Sequence, residues 1–220
     1  MCMFVGALIL STVSVQAATS NQYGITIDGN FSDWSDKTMT SLKETGDDYN
    51  IKKACLLADN DNVYFYLNMS PEHGGGYSTL QPSGYELKVG NKTYWLTWQG
   101  VSGLSDGQTK SFTIYAYESD STGGNVNKTL TQAQAVVHRY KTANGHNDIM
   151  EASIPLSELK VSGTTSQSIS ISNTNLGTQT LTTTGGSTGP ILISSVGFLM
   201  AIAGVVTYQK RKKVSRLAHE

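Results

Sequence analysis

Six aromatic residues, Tyr85, Tyr94, Trp95, Trp98, Tyr115 and Tyr117, crowd the middle of the chain. Sugar rings present C–H faces that stack on aromatic planes, and polar groups beside those planes hydrogen-bond the sugar hydroxyls. The chemistry this set offers is stacking on the face of a neutral ring such as a sugar. Trp95 and Trp98 stand three residues apart, which places them on opposite faces of a strand. If one faces a core, the other does not. The same residue types also build strands and cores with no ligand at all.

Acidic oxygens form a second candidate set. Asp28, Asp33 and Asp36 cluster near the start, and Asp59-Asn60-Asp61-Asn62 offers closely spaced hard ligands. Calcium wants about six to eight oxygens, with backbone carbonyls contributing. Calcium held by Asp28, Asp33, Asp59 and Asp61 is one expectation; ordinary turn formation by Asp and Asn is the other. Neither group has the glycine and distal glutamate of an EF-hand loop. Met69, His73 and His138 are formal haem ligands without a supporting spacing. Glycoside hydrolysis needs two carboxylates across one cleft. Glu86 and Glu151 are available, but nothing in the sequence ties them together. No His-Glu-x-x-His site or phosphate loop is present, and nothing in the sequence ties a Ser, a His and an Asp into one set, so the expected function is non-catalytic.

The elements that must carry these residues read as strands. Asn62 to Met69 alternates Val63, Phe65 and Leu67 against Tyr64, Tyr66 and Asn68, the period of a half-buried strand. Tyr85–Val89 and Lys92–Trp98 flank Gly90-Asn91, a two-residue hairpin signal. Ser111–Tyr117, Ala133–Lys141, Ile149–Ile154 and Ser168–Ser172 are further strands, and Pro155–Leu159 suits one helical turn. Short strands between Gly, Ser, Asn and Asp turns predict an all-β fold, an antiparallel β-sandwich of jelly-roll type.

The two ends are different. Phe4–Val15 is an apolar run, and Val15-Gln16-Ala17 supplies small residues for cleavage after Ala17, although no Lys or Arg precedes the run. Ile191–Tyr208 carries no charge and is followed by Lys210, Arg211, Lys212, Lys213 and Arg216. A run of that length crosses a hydrocarbon core of ~30 Å as one helix, and the basic cluster marks its cytoplasmic side. The expected organisation is a signal peptide at 1–17, a β-sandwich domain at 18–177, a Thr/Gly/Ser linker at 178–189, a transmembrane helix at 190–208 and a cytoplasmic tail at 209–220. Between the ends the chain has 11 Lys/Arg and 16 Asp/Glu, a balance of −5, which argues against nucleic acid and suits neutral ligands or divalent cations. With Cys2 in the leader, Cys55 has no disulfide partner, and its apolar neighbours predict a buried thiol.

The opening Ile27-Asp28-Gly29 with Asp33-Trp34, the turn Asp59-Asn-Asp-Asn62 leading into Val63-Tyr-Phe-Tyr, and Glu151-Ala-Ser-Ile-Pro-Leu156 occur in that order. In this they resemble the sandwich domains related to family 9 carbohydrate-binding modules and the wider sugar- or haem-binding DOMON group. The resemblance spans most of Ile25 to Glu158 and implies a glycan-binding lineage, with a polysaccharide or cell-wall glycan as the expected partner. In the family 9 modules a pair of tryptophans clamps one sugar. Trp34 reads as structural here, and Trp95 and Trp98 cannot face each other from one strand. Asn175-Leu-Gly177, Gly189-Pro190, the apolar run and the basic end are similar to the Firmicu-CTERM sorting tail of Firmicutes surface proteins. Together these predict a single-pass, membrane-anchored bacterial surface protein displaying a glycan-binding sandwich. The alternative is an adhesion or structural domain that contacts other proteins and has no sugar site.

Overall fold

The computed structural model describes residues 21–119, 125–161 and 166–186. The expected signal peptide and the apolar run with its basic tail lie outside these residues. No helix among the described residues is long and apolar enough to cross a membrane.

The described strands are β1 (Thr40–Leu42), β2 (Lys52–Ala58), β3 (Asn62–Asn68), β4 (Tyr85–Val89), β5 (Lys92–Gln99) and β6 (Thr109–Ser111). They continue as β7 (Thr113–Glu118), β8 (Asn127–Leu130), β9 (Gln134–Thr142), β10 (Gly145–Pro155), β11 (Gln167–Ser172) and β12 (Leu181–Gly185). Two six-stranded sheets result: sheet A in the order β1-β2-β3-β10-β9-β6, and sheet B in the order β12-β11-β4-β5-β7-β8. Every pairing is antiparallel. The fold is therefore all-β and sandwich-like, as the alternating segments predict.

The core follows from that alternation. Phe65 and Leu67 of sheet A meet Tyr85, Leu87, Leu96 and Trp98 of sheet B in one buried cluster. The Phe65 ring lies 6.1 Å from Tyr85 and 6.4 Å from Trp98, centroid to centroid. Between β4 and β5, Gly90 has φ 60°, and a Cβ there would stand 2.5 Å from Gln167 Oε1, so this tight hairpin needs glycine.

Three expectations are corrected. The segment Ser111–Tyr117 is not one strand: Ser111 ends β6 in sheet A, Thr113 begins β7 in sheet B, and buried Phe112 is where the chain changes sheets. The Thr-rich 178–189 stretch is not a spacer throughout. Leu181–Gly185 pairs with β11, Leu181 enters the core, and a Cβ on Gly185 would stand 2.6 Å from Ala58 Cβ. β-Branched threonines suit a pleated edge, and one leucine is enough to dock it. Finally, β3 is buried on both faces, because the segment from Tyr23 to Met39 covers the outer face of sheet A.

That cover is fastened by one carboxylate. Glu151, on the outward face of β10, has no exposed surface. Its Oε1 accepts the backbone N–H groups of Asp28 at 3.0 Å and Gly29 at 2.7 Å, and its Oε2 accepts Trp34 Nε1–H at 2.8 Å. Gly29 sits at φ 86° with Thr109 Cγ2 only 2.9 Å from where a Cβ would be. Ile25–Ile27 does not form a strand, since the N–H groups here turn to side chains: Thr26 donates to Asp33 Oδ2 at 2.7 Å, and Asp28 donates to Glu151. Trp34, in the 3-10 turn Phe31–Trp34, packs its ring 5.3 Å from Tyr66 and so seals the outer face of sheet A.

Burial pushes the Glu151 carboxyl above the ordinary range, the three donors pull it back, and the nearby Asp33 charge adds a further push upward. With a raised value, the group's contribution to stability is complete below the ordinary glutamate range and is lost as pH rises through the folded-state value. Glu151→Gln sets an amide N–H against Trp34 Nε1–H and is expected to destabilise by about 1–3 kcal/mol. Urea midpoints are the measurement: the gap between wild type and variant should be wide near about pH 4 and narrower near about pH 8.

Candidate functional site

Sheet A is covered on its outer side; the outer side of sheet B is not covered by any described residue. Alternation along β5 sends Tyr94, Leu96 and Trp98 inward and Trp95, Thr97 and Gln99 outward. Along β7 it sends Ile114 and Ala116 inward and Thr113, Tyr115 and Tyr117 outward. Register then makes Trp95 and Tyr117 direct cross-strand neighbours. They are 43% and 47% exposed, which sets them apart from the other aromatic residues of β4, β5 and β7.

Five strands extend this pair into a row. Ser172 of β11 faces Glu86 of β4, Glu86 faces Trp95, Trp95 faces Tyr117, and Tyr117 faces Asn127 of β8. Hydroxyl and amide groups fill the flanks. Gln99 Oε1 accepts Thr113 Oγ1–H at 3.2 Å and Thr129 Oγ1–H at 3.1 Å, and half-buried Tyr115 donates its hydroxyl to Asn127 Oδ1. Glu86 pairs with Lys88 at 2.7 Å, and these two are the charged side chains on this face among the described residues. Among those residues Trp95 Nε1 and the Tyr117 hydroxyl have no hydrogen-bond partner. The outer face of sheet B thus presents two rings with free polar tips, a self-neutralised ion pair and many hydroxyls.

The other three aromatic candidates are corrected to core positions. Tyr85, Tyr94 and Trp98 are each at most 1% exposed. Tyr94 donates its hydroxyl to Leu159 O at 2.7 Å, fixing the turn after β10. Tyr85 and Trp98 pack at a centroid separation of 4.6 Å, and neither the Tyr85 hydroxyl nor Trp98 Nε1 meets a partner among the described residues. Burial raises the Tyr85 phenol well above its ordinary value. Both rings belong to the packing between the sheets.

The acidic candidates serve turns. Asp28 Oδ1 accepts Asn30 N–H at 2.8 Å, and Asp33 Oδ2 accepts Thr26 N–H, while Asp33 Oδ1 is buried without a partner. Asp59 Oδ1 accepts Asp61 N–H at 2.9 Å and Asn62 N–H at 2.8 Å, and its Oδ2 accepts the Tyr64 hydroxyl at 2.9 Å. The Asp61 backbone oxygen receives Leu156 N–H at 2.8 Å. No group of three or more His, Cys, Asp or Glu side chains close enough to hold a metal ion forms among the described residues. Met69 is in the core, His73 stacks on Tyr49 at 4.2 Å, and His138 Nδ1 pairs with Thr109 Oγ1 at 2.8 Å, so these three occupy separate places. Glu86 and Glu151 lie on opposite outer faces of the sandwich, whose sheets pack ~10 Å apart, and they share no cleft.

Two features were not visible in the sequence. Asn127 joins the row through β8, a strand too short to show periodicity. A second exposed aromatic group, Tyr49 (52%) and Tyr77 (70%), stands at one end of the sandwich on loops. Gly76 is the clue to that group: a Cβ there would stand 2.7 Å from Asn50 Oδ1, so the Gly-rich loop is packed tightly beside Tyr49. Elsewhere, a cleft of about 450 Å³ opens beside Tyr23, Lys37, Thr40, Cys55, Leu56 and Thr183. The Tyr23 hydroxyl there is bonded to Ala58 O at 3.0 Å, and burial pushes the Cys55 thiol up to about 11.

The partition of tryptophans has a direct consequence for stability. Trp98→Ala opens a core cavity and is expected to cost about 3–5 kcal/mol, whereas Trp95→Ala removes one cross-strand contact and should cost under about 1 kcal/mol. Chemical denaturation of the two variants checks this, and equal losses would contradict the assignment of faces. No protein-family model, no curated protein and no solved structure matches this chain, so its own geometry is the ground on which function is argued.

Proposed function

We propose that this chain is a membrane-anchored surface protein displaying a non-catalytic glycan-binding domain, and that the outer face of sheet B is its binding face. The observation that carries the reading is the exposed Trp95–Tyr117 pair on a face whose other described side chains are hydroxyls, amides and one ion pair. Stacking on the two rings supplies apolar contact with sugar C–H groups, and the indole N–H and phenol O–H are free to bond sugar hydroxyls. Tyr115, held by Asn127, supports the pair from the next row. The apolar run Ile191–Tyr208 and the basic residues after it support the anchor, with the sandwich on the outer side of a bacterial membrane.

A glycan array tests this with the full-length chain held in a detergent that has no sugar headgroup. Binding to at least one polysaccharide is expected, and Trp95→Ala should abolish it while leaving the thermal unfolding midpoint nearly unchanged. Absence of binding to every array sugar overturns the reading and leaves the protein-contacting adhesion domain in its place.

A further inference from the structure

We infer that the ligand is a single, extended, uncharged β-linked polysaccharide chain that lies across the strands of sheet B, one sugar to each strand. The inference rests on the glycan-binding reading and adds the ligand's linkage, charge and direction. Direction comes from register. Ser172, Glu86, Trp95, Tyr117 and Asn127 occupy five successive strands in one row, perpendicular to the chain direction. Along β5 the exposed Trp95 is followed by Thr97 and Gln99, and along β7 the exposed Tyr117 is preceded by Tyr115, which is half-buried with its hydroxyl bonded to Asn127, and by Thr113. The two exposed rings stand side by side only in the cross-strand direction, with Glu86 and Asn127 on either side of them.

Linkage comes from spacing. Neighbouring strands lie ~4.8 Å apart, close to the length of one pyranose in an extended β-linked chain. Such a chain would meet Glu86, Trp95, Tyr117 and Asn127 at successive sugars. A helically coiled α-linked chain curls away from the face after one or two units. Charge follows from the ion pair: Glu86 and Lys88 neutralise each other at 2.7 Å, so the described residues of this face leave no net charge to attract an acidic or basic polymer.

The form of the ligand comes from twist. Adjacent strands rotate by ~20–25°, so the row from β4 to β8 turns through roughly 60–75° over its three intervals. A free chain can follow that turn, but the flat face of a crystalline polymer can touch only one or two strands of it. Soluble single chains are therefore the partner.

Isothermal titration of the full-length chain, again in a detergent without a sugar headgroup, reads all of these features. The probes are β-1,4-linked oligomers of glucose, xylose, mannose and N-acetylglucosamine, two to six sugars long. The α-1,4-linked glucose oligomers of the same lengths serve as the comparison. For at least one β-linked series, affinity should rise about tenfold or more between two and four sugars and level off near five, matching the strands in the row. The α-linked series should show no such rise, and Asn127→Ala should flatten the β-linked rise. Sugar binding that is independent of length, that favours the α-linked series, or that occurs on the array but in none of the four β-linked series overturns this inference and leaves the glycan reading standing. Absence of binding by every sugar on the array and in the titrations overturns both.

Discussion

The buried carboxylate of Glu151 decides which surface of the sandwich is open. It stands on the outer face of sheet A, where an unpaired charge would cost several kcal/mol. Its oxygens are satisfied by two backbone N–H groups of the Asp28-Gly29 turn and by the Trp34 indole. Those bonds draw the segment ahead of β1 across sheet A, where Ile25, Trp34, Tyr64 and Tyr66 form an outer core of their own. Once sheet A is covered, the outer face of sheet B is the one left open among the described residues. A residue distant from the proposed site thus sets the site's location by closing the alternative.

The same alternation that builds the inner core divides the aromatic residues by role. Tyr85, Tyr94 and Trp98 supply volume between the sheets, while Trp95 and Tyr117 stay in contact with solvent. One residue of register shift would exchange these sets, placing hydroxyl-bearing threonines inside and the core rings in water. The Gly90-Asn91 hairpin therefore does more than join β4 to β5, since it fixes which tryptophan is available. The two glutamates that suggested hydrolysis are separated by the whole thickness of the sandwich, which removes the shared cleft that such chemistry requires.

Much of this was legible in the residues. The runs at Asn62–Met69, Tyr85–Val89, Lys92–Trp98, Ala133–Lys141 and Ile149–Ile154 appear as strands, although β10 begins four residues before Ile149, and Trp95 and Trp98 part to opposite faces as their spacing requires. Burial of Cys55 followed from its apolar neighbours. What escaped depends on partners distant in sequence. Leu181–Gly185 looked like a spacer because threonine and glycine dominate it, and only the docking of Leu181 against the core reveals a strand. Phe112 gives no local sign that the chain changes sheets there. The double burial of β3 cannot be read from its own alternation, because the cover is supplied by residues some thirty positions earlier. Asp59 and Asp33 showed the oxygen atoms a cation would use, but not that backbone N–H groups already hold them.

The central claim is that Trp95 forms part of the sugar-binding surface while the chain's other two tryptophans, Trp34 and Trp98, are enclosed by protein. Iodide quenching of tryptophan fluorescence tests it most directly, since the quencher reaches only the exposed ring. In the absence of sugar, quenching should arise from Trp95 alone and vanish in a Trp95→Phe variant. Addition of the bound polysaccharide should suppress it in the wild-type chain. A polysaccharide that binds while Trp95 remains fully open to iodide would contradict the account.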